Sequence, residues 1–116
     1  MSKKDKRKDQ RFVVDEKISI LTAPKLVISD NLIDISLGGL SFSYEDKDPF
    51  HAGVWISMDV ISGNVSVLDI PVKIVSDTEM PYSPKCSRQC SVAFGNLSKD
   101  QKEKLLFFVK KFGVSS

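Results

Sequence analysis

The sequence predicts an all-β domain closed by one C-terminal helix, with the strands forming an antiparallel barrel or sandwich. Three observations carry this. Short runs rich in Val, Ile, Leu and Ser alternate in polarity, turn residues separate them at close intervals, and the period changes from two to 3.6 only after Ser98. The chain has 116 residues, enough for one domain with a real core. At 41% hydrophobic it is too apolar for disorder, and no apolar run reaches the length of a membrane span.

The elements follow in order. Residues 12–21, FVVDEKISIL, place Val14, Ile18 and Ile20 on one face and Val13, Asp15, Lys17 and Ser19 on the other. A turn at Ala23-Pro24 precedes extended structure over Leu26–Ile35, and a third strand covers Leu40–Tyr44 after two glycines. The charged, proline-containing EDKDP is a loop. Strands resume over Val54–Ile61, Val65–Val75 and Arg88–Phe94, divided by Ser62-Gly63-Asn64 and by a segment with Pro81 and Pro84. Ser98 and Gln101 then form a capping box with Asp100 in the first turn. Leu105, Phe108, Val109 and Phe112 recur at i, i+3, i+4 and i+7, Lys110 and Lys111 lie in the last turn, and Gly113 stops the helix. One amphipathic helix, about 98–112, is expected over the outside or one mouth of the barrel, its apolar stripe facing the core.

Composition and motifs exclude most chemistry. Cys86 and Cys90 are spaced CxxxC, with no second pair or nearby histidine to complete a zinc site, so two reduced structural thiols and no metal are expected. His51 is the sole histidine, and there is no nucleophile elbow, P-loop, GxGxxG or paired carboxylate spacing. No catalytic residue is assigned. The charged N-terminus lacks an apolar segment behind it, so no secretory signal and a cytoplasmic location are expected.

Two stretches remain unexplained by folding alone. In KKDKRKDQR, Lys3 to Arg11, six of nine residues are cationic against a net charge of only +2. Arg7 and Arg11 stand four apart within it, and a guanidinium offers a planar fork that matches phosphate or the O6/N7 edge of guanine. In NLIDISLGGL, residues 31–40, a strand-like run contains Asp34, Ser36 and the Gly38-Gly39 pair. The Asp34 carboxylate complements the N1–H and exocyclic amine of guanine, Ser36 shares its face at i+2, and Gly39 leaves room for a ligand against the backbone. Together they suit a guanine nucleotide with phosphates.

Arg7-x-x-x-Arg11 with Asp34-x-Ser36-x-x-Gly39, some two dozen residues on, resembles the two-part motif of PilZ domains, bacterial receptors for the second messenger cyclic di-GMP. The resemblance spans essentially the whole chain, including the VAFGNLS stretch before the helix. It implies a six-stranded antiparallel β-barrel over 12–116 and a flexible basic arm over 1–11 that folds onto the ligand. It assigns Arg7 and Arg11 to guanine edges and phosphates, Asp34 and Ser36 to a guanine, and Gly39 to close approach. Lys6, Lys8 and Gly38 are secondary candidates; the residue before the arginine motif, here Lys6, favours two stacked ligands when basic. The sequence departs from the family at Ser91, where many members carry the glycine of a GVxF pattern and this chain has Ser91-Val92-Ala93-Phe94, and near Ser76, where an aromatic is often found.

The implied protein is a non-enzymatic receptor without cofactor, membrane insertion or nucleic-acid partner, which passes its signal to a downstream protein. A basic barrel that binds RNA or DNA is the alternative from another class, but aromatic stacking residues are few and not interleaved with the basic ones. A third reading is a PilZ-like adaptor that no longer binds nucleotide.

Overall fold

The computed structural model describes residues 18–63, 65–80 and 86–112. Among them are strands β1 (Ser19–Ala23), β2 (Ile28–Ser29), β3 (Asn31–Ile35), β4 (Gly39–Glu45), β5 (Trp55–Ile61), β6 (Ser66–Glu79) and β7 (Ser87–Phe94), followed by helix α1 (Lys99–Phe112). All pairs are antiparallel, and the sheet order is β2-β1-β5-β6-β7-β4-β3.

The two edge strands, β2 and β3, are consecutive in the chain and separated by Asp30 alone. Ser29 pairs with Ile20 of β1, whereas Asn31 pairs with Ser43 of β4, so one extended segment changes partner at Asp30 and nearly closes the sheet into a barrel. The Ser29 hydroxyl sits at the switch, donating to the Ser43 carbonyl and accepting from the Asn31 N–H, while Ser19 Oγ donates to Asp30 at 2.7 Å. The expected strand 26–35 is therefore two short strands, and the six expected become seven. The basic arm and the first residues of the expected strand 12–21 lie outside the described residues.

The core follows from alternation. Ile18 just before β1 and Ile20 within it, Leu40, Phe42 and Tyr44 from β4, Met58 and Val60 from β5, and Ile70, Val72 and Ile74 from β6 are all buried. Alternation breaks where one strand carries an extra residue: on β3 between Leu32 and Asp34, and on β6 both between Val67 and Ile70, opposite Met58 and Val60, and between Ile74 and Ser76. Each β-bulge turns the following residue back to the face that a strict period of two would deny it. After the third bulge β6 continues to Glu79, four residues past its expected end, because Ser76–Glu79 remain laddered to β7.

Helix α1 begins at the expected capping box. Gln101 N donates to Ser98 Oγ at 3.1 Å, and Ser98 N donates to Gln101 Oε1 at 2.9 Å. The Gln101 amide also donates to the Leu68 and Asp69 carbonyls, which fixes the helix start against β6. Leu105 and Phe108 enter the core and Val109 packs at its edge, while Leu106 and Phe107 stay exposed.

At the Glu45 end of β4 lies a buried polar cluster. Asp77, whose side chain is 1% exposed, accepts from Arg88 Nε, from the Tyr44 hydroxyl and from the Phe50 backbone N–H. Burial, with the Asp77 hydrogen bond second, holds the Tyr44 phenol well above its ordinary value. The same carboxylate ties the loop after β4 to the barrel wall, where the Tyr44 ring meets Phe42 and Phe50 at centroid distances of 5.7 and 5.4 Å. Both thiols are free. Cys90 is buried near Asp77, and burial pushes it up to about 12, an inert state, while Cys86 is exposed.

Candidate ligand site

The opposite end of β4 carries the strand-borne half of the motif. The bulge at Ile33 lets Leu32 and Ile35 both face inward although they are three apart, and it leaves Ile33 and Asp34 exposed in succession. Asp34 pairs with Ser41 near the end of β3, and β3 stops one residue later. Ser36 opens the turn into β4. Its N–H donates to the Gly39 carbonyl at 2.8 Å, and its hydroxyl accepts from Gly38 N at 3.2 Å. The Phe94 N–H donates to the Gly38 carbonyl at 2.9 Å, so the turn is anchored to β7.

Asp34 and Ser36 are both exposed, and no described residue makes a hydrogen bond or ion pair with the Asp34 carboxylate. A solvated carboxylate at a rigid strand end can accept two hydrogen bonds from outside without first breaking an internal one. The Ser36 hydroxyl is partly committed, since it already organises the turn.

The two glycines differ. A Cβ on Gly39 would land on the Val92 carbonyl oxygen and lie 3.1 Å from Ala93 Cα, so the approach of β7 by itself requires glycine there. A Cβ on Gly38 would meet only Ser36 Oγ, at 4.0 Å. Packing in the described structure does not require glycine at 38, and the space above it is open to a ligand.

Beyond the turn, register defines a surface that no local pattern reveals. One outward row runs Asp34–Ser41–Ser91–Ser76 across β3, β4, β7 and β6, with the Ser41 and Ser91 hydroxyls 2.8 Å apart. The neighbouring row runs Gly39–Ala93–Lys73–Trp55 across β4, β7, β6 and β5. Between Asp34 and Lys73 these rows contain only Gly, Ala and Ser, with Ser41 itself buried and the exposed Val75 of the bulge beside Ser76, so no aromatic or charged side chain of the rows stands between the two. Ser91 and Ser76, the positions where the sequence departs from the motif-bearing family, fall on this face. Sequence reasoning did not assemble Ser41, Ser91, Ala93 and Lys73 as neighbours, because their proximity depends on strand pairing and on the bulge at Val75.

Arg7, Arg11, Lys6 and Lys8 lie outside the described residues. Two concave grooves occur elsewhere, one between β6 and the start of α1 near Val67, Ser98 and Lys104, and one around Pro24, Trp55 and Pro71. Neither includes Asp34, Ser36 or Gly38. Among the described residues no group of three or more His, Cys, Asp or Glu side chains is placed to hold a metal, and His51 is exposed in the loop before β5.

Comparison with known families matches residues 5–111 to the model described as PilZ domain. The matched span includes the arginine pair, the Asp34–Gly39 segment and nearly all of α1. A search of curated proteins found no match.

Proposed function

The chain belongs to the PilZ domain family, and on that premise we propose that it is a non-enzymatic receptor for cyclic di-GMP. Asp34 accepts from the N1–H and exocyclic amine of one guanine, Ser36 contributes beside it, and the open space over Gly38 together with the backbone at Gly39 admits the base. Arg7 and Arg11 close from the arm, using planar forks on phosphate or guanine edges. Lys6 and Lys8 add positive charge, which two stacked ligands with four phosphates require. Binding orders the arm over the barrel, and the altered surface engages a downstream protein. The ligand is the only small molecule the reading needs; it invokes no cofactor and no catalytic step. Among the described residues no helix is long and apolar enough to cross a membrane, and the reading places the protein in a bacterial cytoplasm, where its ligand is made.

The observation that carries this reading is the exposed Asp34 carboxylate, without a partner among the described residues, at the edge of a face built from Gly, Ala and Ser. A structural carboxylate at a strand end normally bonds a nearby N–H or cation; this one is left to solvent beside an uncrowded glycine.

Calorimetric titration with cyclic di-GMP, with GTP and a short single-stranded oligonucleotide as controls, tests it. Binding is expected for cyclic di-GMP alone. Arg7→Ala and Arg11→Ala are each expected to cost about 1.5–3 kcal/mol, roughly ten- to a hundredfold in affinity, with the melting temperature unchanged. Wild-type affinity in both variants overturns the assignment of the arm. Binding of the oligonucleotide instead supports a nucleic-acid barrel, and binding of neither supports an adaptor that works by protein contact alone.

A further inference from the structure

We propose that Lys73 is a further phosphate contact for the ligand, at the far side of the face that begins at Asp34. The inference rests on the cyclic di-GMP reading and adds a residue that the two-part motif does not contain. The geometry is set by register. Lys73 pairs with Ala93, and Ala93 with Gly39, so Lys73 is two strands from the motif glycine, about 10 Å at ordinary strand spacing. The residue between them is an alanine, too short to screen one from the other.

Charge availability narrows the choice. On the described strands the cationic side chains are Lys73 and Arg88. Arg88 faces the other way, committed to the buried Asp77. Lys73 is exposed and forms no ion pair with any described residue. A guanine held at Asp34 by its N1–H and exocyclic amine points its sugar and phosphodiesters away from that carboxylate, since this edge lies opposite the glycosidic bond, and the phosphate charge is stabilised by cations close to it. The arm supplies them from one side. Lys73 is the ammonium that the barrel wall offers from the other.

Trp55 shapes the approach. It lies directly opposite Lys73 on β5, and its ring reaches over Gly95, where a Cβ would come within 2.6 Å of it. The indole therefore occupies the side of Lys73 towards Gly95 and bounds the face there. The side towards Ala93 and Ser76 carries no aromatic group, only the exposed Val75 of the bulge and small residues. Lysine is suited to this place because a flexible stem with a compact charge can follow a phosphate without a fixed bidentate geometry.

The test is a calorimetric titration with cyclic di-GMP at several salt concentrations, on wild type, Lys73→Met, Lys73→Arg and Lys102→Met. Lys102, exposed on α1 and on neither row of the face, controls for net charge alone. Lys73→Met is expected to weaken binding about five- to twentyfold and to lower the slope of log affinity against log salt by about one. Lys73→Arg should retain most of the affinity, Lys102→Met nearly all of it, and thermal melts of all four proteins should coincide. If wild type binds and Arg7→Ala abolishes binding, but Lys73→Met matches Lys102→Met in affinity and slope, Lys73 is not a contact and the receptor reading stands. If wild type does not bind at all, the receptor reading fails and takes this inference with it.

Discussion

The two ends of β4 place polar groups in opposite circumstances. At the Glu45 end, the Asp77 side chain is sealed from solvent and holds three partners: Arg88, the Tyr44 hydroxyl and the Phe50 N–H. At the Gly39 end, Asp34 is exposed and has no partner among the described residues, beside a glycine that nothing crowds. Both are aspartates on strands of one barrel, a few residues from a turn. A buried carboxylate that lost its partners would cost several kcal/mol, so its partners are part of the fold. An exposed carboxylate costs the fold almost nothing to leave open, so its availability can serve a ligand. Satisfaction, more than residue type, separates structural polar groups from functional ones here.

Breaking the satisfied end should produce the largest effect. Asp77→Ala leaves the Tyr44 hydroxyl and the Phe50 N–H without their acceptor and Arg88 without its counter-charge. The expected loss is about 3 kcal/mol of stability, measured by urea unfolding, with unchanged ligand affinity wherever the variant is folded. A stability within 0.5 kcal/mol of wild type, roughly the scatter of a surface substitution, would mean that the cluster is decorative.

The glycines sharpen the contrast within a single turn. Gly39→Ala must push β7 aside at the Val92 carbonyl and is expected to cost about 2–3 kcal/mol of stability. Gly38→Ala should stay within about 0.5 kcal/mol of wild type in unfolding, yet weaken cyclic di-GMP by covering the space a base would use. Equal destabilisation by the two would contradict the assignment of one to packing and the other to the ligand.

At the open end, Asp34→Ala is expected to leave the melting temperature unchanged while weakening cyclic di-GMP by about 1.5–2 kcal/mol, ten- to thirtyfold. Cyclic di-AMP, whose base presents an acceptor at N1 where guanine has a donor, should be affected far less. A competition assay with both dinucleotides measures this, and an equal loss for both would make Asp34 a structural residue.

The smallest effect is a pH dependence. Burial raises the Cys90 thiol from near 9 to about 12, and the folded state therefore favours its neutral form. A raised value in the folded state gives stability that is fully present below the unfolded value and is lost as pH rises above it. Between pH 8 and pH 10 the wild type should lose about 1 kcal/mol more than Cys90→Ala, with Tyr44 contributing further loss above pH 10. Parallel pH profiles would show that the thiol is better solvated than its position at this end of the barrel implies.

Much of the fold is legible in the sequence where local rules act alone. Ser98 and Gln101 announce the helix start because a capping box needs only residues three apart, and the stripe at Leu105 and Phe108 needs only the helical period. Ile18 and Ile20 are read correctly for the same reason. The bulges defeat that reading. In Ile74-Val75-Ser76-Asp77, the extra residue exposes an apolar Val75 and buries a charged Asp77, the reverse of what composition suggests, so the polar run looked like the end of a strand. At Ile33 the same device turns Asp34 outward. Of the candidate site, Asp34, Ser36 and Gly39 are legible because their spacing is local and resembles a family motif. The small-residue face and Lys73 are not, since Gly39, Ala93 and Lys73 become neighbours only through the register of three strands.

The most direct test of the contrast between the two ends is residue-resolved: amide chemical shifts of the isotopically labelled protein, followed as cyclic di-GMP is added. The account expects the large changes at Asp34, Ser36, Gly38, Gly39 and Ala93, with Tyr44, Asp77 and Arg88 unmoved. Changes centred on Tyr44, Asp77 and Arg88, or none at Asp34 and Gly38 at saturating ligand, would contradict it.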